Sequence, residues 1–258
     1  MKILFVGDIV GDLGVAYALD RIAQMRTSLQ PDLVIANAEN SASDGLGMSP
    51  QALETLRPQV DVFTGGNHSW DHPEAELVLS DTRVLRPANV EPGTHGQGMI
   101  QLRIADELVC ILNVVDADAM PLTLGSPKVI VTPYQAFLAA QLKGTVIIDY
   151  HGNDVFSKQT FAHAVDGQVA AVLGTHTHEP TLNLHRLPRG TALITDVGMT
   201  GAQGGVMGFD AEQWVAGIEQ GKSFHDLPVS LPVTGPCSLG AIVLDTQNGL
   251  TCAIERVS

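Results

Sequence analysis

Through the first 65 residues, short apolar runs alternate with helical spacing, and this rhythm narrows the fold more than any other feature of the 258-residue chain. Lys2 to Val6 is an apolar run closed by a Gly-Asp turn. Gly14 to Leu29 then carries Val15, Leu19, Ile22, Ala23 and Met25 at near-helical spacing. Pro31 breaks the chain before a second run, Asp32 to Ala36. Ser49 opens a short helix that ends before Pro58, and Val60 to Thr64 is a third strand. Strand–helix–strand–helix–strand order implies parallel neighbours with helices laid over the sheet.

Later segments carry antiparallel signals. Met99 to Ile104 and Leu108 to Val115 flank a turn at Ala105-Asp106-Glu107, and Gly240 to Thr246 and Leu250 to Val257 flank Gln247-Asn248-Gly249. Asn-Gly between alternating runs predicts a tight hairpin. Val146 to Tyr150, Ala170 to Gly174 and Ala192 to Thr195 read as further buried strands. With no internal repeat, low-complexity tract or linker, the expectation is an α/β fold of mixed β-sheets layered with helices, in a single domain over residues 1–258.

Composition excludes several classes. At 45% apolar and 16% charged residues the chain can bury a sizeable core and does not read as disordered. No run approaches the roughly 18 apolar residues of a membrane span, and the N-terminal run reads as a first strand, not a signal peptide. Cys110, Cys237 and Cys252 form no Cys-x-x-Cys, so neither a disulfide framework nor a thiolate zinc site is expected, and the cytoplasm is the expected compartment. A net charge of −14 opposes long nucleic acids, which are bound by neutralising many phosphates. A small anion needs only a local positive centre, which bound metal can supply. Composition does not set the oligomeric state; a homo-oligomer is compatible with it.

Polar residues follow the apolar runs in register. Asp8 follows the first strand, Glu39-Asn40 the second and Asn67-His68 the third, while His151 follows Val146–Tyr150 and His176-x-His178 follows Ala170–Gly174. Open α/β sheets place ligands beyond the carboxyl ends of their strands, so these side chains can share one crevice. Each has a bland reading alone. Asp8 suits a turn, Glu39-Asn40 a helix start, and Gly65-Gly66-Asn67-His68 a loop with positive φ. A lone His151 is more often structural, and His176 and His178 suit a strand end at the surface, though residues two apart in an extended chain share a side. Together they favour a metal site.

The set Gly7-Asp8, Asn37-Ala38-Glu39-Asn40, Gly65-Gly66-Asn67-His68, Tyr150-His151 and Gly174-Thr175-His176-Thr177-His178 resembles the calcineurin-like metallophosphoesterases. Its order, the chain length and the segment Ile194 to Gly201 are similar to the YmdB-like branch, whose members resemble 2′,3′-cyclic nucleotide phosphodiesterases. The wider superfamily begins with Asp-x-His, where this chain has Asp8-Ile9-Val10, and offers a bridging Asp, where this chain has Glu39; Asn40 is the natural replacement for the missing imidazole. The resemblance implies an α/β/β/α sandwich and two divalent metal ions per chain, of iron or manganese, with zinc as a further option. It implies one metal on Asp8, Glu39, Asn40 and His178, and a second on Glu39, Asn67, His151 and His176, with Glu39 bridging. Two carboxylates against two divalent cations leave a formal charge of +2, which attracts a phosphodiester. The implied activity is hydrolysis of a small phosphodiester or nucleotide, foremost a 2′,3′-cyclic nucleotide, by metal-activated water, with His68 as general acid.

Other residues carry weaker signals. His72, His95, His163, His185 and His225 match no motif and suit surface or packing roles. Asp196 suits either orienting a ligand histidine or a turn. Met48, Met199 and Met207 suit a base-binding pocket or, more usually, gaps in the core. A phosphomonoesterase is the nearest alternative activity, and a regulatory metal-binding protein the alternative from another class. An amidohydrolase barrel would place its His-x-His after the first strand, and a P-loop NTPase would need Gly-x-x-x-x-Gly-Lys-Ser/Thr, which is missing.

Overall fold

The computed structural model, which describes residues 1–116, 127–223 and 227–257, carries the N-terminal rhythm. β1 (Lys2–Val6), α1 (Gly11–Leu29), β2 (Leu33–Asn37), α2 (Pro50–Leu56) and β3 (Val62–Thr64) follow in order, and β1, β2 and β3 pair in parallel. α2 starts where expected because the Ser49 hydroxyl accepts from the Ala52 N–H and Pro50 fills the first turn, where its missing N–H costs nothing. α1 begins at Gly11 rather than Gly14 and stops at Gln30, which takes a left-handed φ of 50°.

The chain continues through α3 (Ala75–Leu79), β4 (Met99–Ile104), β5 (Glu107–Val115), α4 (Pro133–Ala140), β6 (Thr145–His151), α5 (Val155–Ala164) and β7 (Ala171–Thr175). It then forms β8 (His185–Arg186), β9 (Ala192–Ile194), β10 (Gly201–Ala202), α6 (Ala211–Glu219), β11 (Cys237–Ser238), β12 (Ala241–Gln247) and β13 (Leu250–Val257). One sheet has the order β13-β12-β1-β2-β3 and a second β4-β5-β6-β7-β9-β8, with β10 and β11 forming a two-stranded ribbon. Both hairpins, β4–β5 and β12–β13, are antiparallel as predicted, and Asn248 and Gly249 take the positive φ angles (53° and 80°) of a primed turn. The interior of the second sheet departs from that antiparallel signal, since β5, β6, β7 and β9 pair in parallel. Turn chemistry reports only the strand across the turn; the partner on the other edge depends on where a crossover helix returns the chain.

Strand alternation sorts the side chains into layers. Ile3 and Phe5 of β1 and Ile35 of β2 meet Ile111, Ile147 and Leu173 of the second sheet in one core. Leu4, Val6 and Val34, on the opposite face, pack with Ile22 of α1 and Leu53 of α2. Leu112, Ile148 and Val172 pack with Ala136 of α4 and Phe161 of α5. The layering is helix–sheet–sheet–helix, the α/β/β/α sandwich that the sequence suggested. No helix among the described residues is long and apolar enough to cross a membrane.

Candidate metal centre

Asp8 lies just beyond β1, Glu39 and Asn40 beyond β2, and Asn67 beyond β3 in one sheet; His151 closes β6, and His176 and His178 follow β7 in the other. All seven are buried. His151 Nε2 stands 2.8 Å from Asn67 Oδ1, 2.9 Å from Glu39 Oε1 and 2.9 Å from His176 Nδ1. One ring nitrogen cannot satisfy three such neighbours, because as donor or as acceptor it has a single N–H or a single lone pair to offer. Glu39, His151 and His176 accordingly form a buried group able to hold a metal ion.

The remaining ligand candidates close around this group. Asp8 Oδ2 accepts from the His176 N–H at 3.2 Å, and Asp8 Oδ1 lies 3.8 Å from His151 Nδ1. Asn40 Nδ2 donates to the Gly45 carbonyl at 2.8 Å, which fixes the direction of its amide oxygen. Asp8 Oδ1, Glu39 Oε1 and Asn40 Oδ1 are buried with no hydrogen-bond partner among the described residues. Stranding such an acceptor costs about 1–3 kcal/mol, so three together fit oxygens kept for a cation.

The ring orientations agree. His151 Nδ1 meets Thr175 Oγ1 at 2.9 Å, and that hydroxyl donates to Asp149 Oδ1 at 2.6 Å. Nδ1 therefore carries a proton, and Nε2 is the nitrogen that faces the cluster. Burial would lower this imidazole, but the charges of Glu39, Asp8 and Asp149 outweigh it and hold the ring above its ordinary value. His178 Nδ1 meets the Met207 carbonyl at 2.9 Å, which leaves Nε2 as the nitrogen available to a metal ion. Asp149 also accepts from Thr64 Oγ1 and Asn37 Nδ2. No motif marks Asp149; its only trace is an acid inside an apolar run.

Charge and burial compete here. Burial alone raises a carboxyl, but the His151, His68 and His176 rings overcome it and take Glu39 down to about 2. Burial wins at Asp8, which is raised, and at Asp149, raised to about 6. Burial together with the His151 ring takes His176 down to about 2, so it offers the neutral ring that ligation needs.

Two local expectations need correction. His176 and His178 are not in extended chain: their φ angles are 97° and 65°. β7 ends at Thr175 and the backbone coils beyond it, so the histidines converge through strained turns costing about 1–3 kcal/mol each, not through strand alternation. Gly65 and Gly66 do not take positive φ; what they supply is space. A Cβ on Gly66 would lie 2.1 Å from Glu39 Oε2 and 2.4 Å from His151 Nε2. Asp196 touches no ligand imidazole; its Oδ2 accepts from Thr177 N and Oγ1, between the two histidines, and its Oδ1 from Gly198 N.

His68 lies at the edge of the cluster, its backbone N–H donating to Glu39 Oε2 at 3.1 Å. Its Nδ1 meets Asp71 Oδ2 at 2.7 Å. Burial would lower this imidazole, but the Asp71 hydrogen bond and the Glu39 charge outweigh it and hold the ring above its ordinary value. Asp71, three residues after His68, carries no motif of its own. Met48 is in the core, Met199 half-buried and Met207 exposed, its carbonyl holding His178. His95, His163 and His185 are exposed and His72 half-buried; His225 lies outside the described residues. A cleft of about 570 Å³ between α1, α2 and residues 72–74 contains none of the ligand candidates.

An α/β/β/α sandwich with this cluster at its strand ends is the arrangement of a calcineurin-like metallophosphoesterase. The family model for YmdB-like proteins matches residues 4–257, and the chain belongs to that family. It is 33% identical over 265 residues to a 2′,3′-cyclic-nucleotide 2′-phosphodiesterase of Bacillus subtilis, covering 100% of this chain and 96% of the relative. The crystal structure of a hypothetical protein of Thermus thermophilus superposes with a TM-score of 0.87 at 34% identity, covering 98% of this chain and 97% of that one. That of a novel phosphatase of Mycoplasma pneumoniae gives 0.88 at 28% identity, over 100% and 92%.

Because Gly66 leaves no room for a methyl group, Gly66→Ala should displace the Glu39 carboxylate or the His151 ring. The expected outcome is a folded protein whose metal content falls by at least about half, read by element analysis beside circular dichroism. Undiminished metal content would show that the backbone need not approach so closely.

Proposed function

We propose that the protein is a dinuclear-metal phosphodiesterase acting on a small phosphodiester, with 2′,3′-cyclic nucleotides as the leading substrates. The observation that carries this reading is the convergence of Asn67, Glu39 and His176 on His151 Nε2, beside the buried oxygens Asp8 Oδ1 and Asn40 Oδ1, which have no hydrogen-bond partner among the described residues. Asp8, Glu39, Asn40 and His178 would hold one ion and Glu39, Asn67, His151 and His176 the other, with Glu39 shared. Seven donors exceed what one tetrahedral site uses. Mixed carboxylate, amide and imidazole donors suit iron or manganese, with zinc also accepted. When bound, the cations acidify water and neutralise phosphoryl charge. The name of the Bacillus subtilis relative supports the cyclic substrate, and the acidic surface disfavours long polyanions. The protein acts as one domain in the cytoplasm.

His68 supplies the proton. Cations nearby favour a neutral imidazole, and Asp71 is the compensating partner that keeps the ring protonated. With Nδ1 occupied by Asp71, Nε2 is the nitrogen left to donate to a departing ribose oxygen.

Element analysis of metal-replete protein should return two ions per chain, and Glu39→Ala should deplete both sites while His178→Ala mainly weakens one. A stoichiometry at or below one in the wild type would remove the dinuclear mechanism. His68→Ala should slow hydrolysis of a cyclic nucleotide by ~10²–10⁴-fold but a bis(p-nitrophenyl) phosphate by less than about tenfold, because p-nitrophenolate leaves without a proton. Equal losses would reduce His68 to a positioning role, and turnover of monoesters alone would make the enzyme a phosphomonoesterase. Asp71→Asn removes a group that raises the His68 pKa, so the alkaline limb of the kcat/KM profile, where His68 loses its proton, should move to lower pH. An unmoved limb would dissociate Asp71 from the proton donor.

A further inference from the structure

Lys158 is the only buried lysine among the described residues, and its side chain reaches none of the candidate ligands directly. It sits in the first turn of α5, where Asp154 caps the helix by accepting from Phe156 N and Ser157 N. Its Nζ donates to the Thr175 carbonyl and to the Thr195 carbonyl, both at 2.8 Å, and lies 3.7 Å from Asp196 Oδ2. Thr175 and Thr195 lie beyond Leu173↔Ile194, the last pair of the β7–β9 ladder. The ammonium therefore bridges β7 and β9 just past their last ladder pair, beside the Val197 N–H that donates to the Gly174 carbonyl at 2.9 Å.

Those ends carry the histidines. Thr175 precedes His176 and holds His151 Nδ1 through its hydroxyl. Asp196 holds Thr177, between His176 and His178. Left-handed backbone at two histidines persists only where the surroundings over-determine it. The Thr175 carbonyl has a second donor, the Gly152 N–H at 3.3 Å, but among the described residues it is the Lys158 ammonium that joins Thr175, Thr195 and Asp196.

We infer that Lys158 is a positioning residue for the metal centre, its ammonium clamping the strand ends so that His151, His176 and His178 are presented together. This rests on the metal reading above. The rival role is purely structural, in which Lys158 only satisfies buried acceptors and neutralises Asp196, and its loss lowers stability without changing how the folded protein takes up metal.

Chelator-stripped wild type, Lys158→Met, Lys158→Gln and Phe161→Leu would each be titrated with Mn(II) by calorimetry, well below their Tm values. Phe161→Leu, on the same helix but in the core, is the control for lost stability. Partners of ligating side chains typically govern metal affinity by about 10–100-fold. Lys158→Met should therefore bind Mn(II) at least about tenfold more weakly than wild type, and Lys158→Gln by a smaller factor, with Phe161→Leu within about twofold. Activity of Lys158→Met should recover as Mn(II) is raised, with KM for bis(p-nitrophenyl) phosphate unchanged, because the metal then imposes the geometry that the ammonium no longer holds. A folded Lys158→Met with wild-type affinity, or with a loss no greater than that of the control, overturns the inference; if that variant does not fold, Lys158→Gln decides on the same criterion. Absence of Mn(II) binding by the wild type would instead overturn the metal reading on which this rests.

Discussion

Everything at the strand ends depends on one electrostatic conflict: acceptors crowd a space that holds too few protons. Asp8 and Glu39 are both fully buried, and Asn67 Oδ1 and His176 Nδ1 crowd the same ring nitrogen as Glu39 does. In a low-dielectric interior this crowding is costly. The two carboxyls diverge, Asp8 raised by burial and Glu39 lowered by the histidine rings that outweigh its burial. A divalent cation offers charge without needing a hydrogen-bond direction, and the same crowding that is unfavourable without it becomes a ligand set.

The fold supplies the rigidity that such a conflict requires. Parallel strands from two sheets end at one edge, and the shared core of Ile3, Phe5, Ile35, Ile147 and Leu173 locks their relative height. Each histidine ring is then aimed by groups behind it: Thr175 and Asp149 aim His151, and the Met207 carbonyl aims His178. Backbone approach is set by glycines, because Gly66 brings the Asn67 segment against Glu39 and His151 where any side chain would collide. Gly174 does the same between β7 and the Thr195 carbonyl, 1.9 Å from where its Cβ would lie.

His68 shows how two adjacent side chains are turned to different partners. It is adjacent to the ligand candidate Asn67, yet its ring turns to Asp71 rather than to the cluster. The hydrogen bond places a local negative charge beside the imidazole and offsets both its burial and any nearby cation. The imidazole and the neighbouring Asn67 amide thus face different partners, Asp71 on one side and His151 on the other.

Much was legible in the sequence alone. Apolar runs located β1, β2, β3, β6 and β7, Asn248-Gly249 marked the last hairpin, and the placement of Asp8, Glu39, Asn40, Asn67, His151, His176 and His178 after strands singled out the residues that the fold brings to one edge. Those signals are local: strand periodicity, turn chemistry and residue type beside a break are written within a few positions of one another. The parallel interior of the second sheet, the left-handed turns at His176 and His178, and the contacts of Asp71, Asp149 and Lys158 were not legible. Asp149 lies 26 residues from the Thr175 hydroxyl it holds, and Lys158 lies 37 from Thr195. Such pairings depend on where a crossover helix returns the chain, and that is decided by packing between layers, which a one-dimensional pattern does not contain.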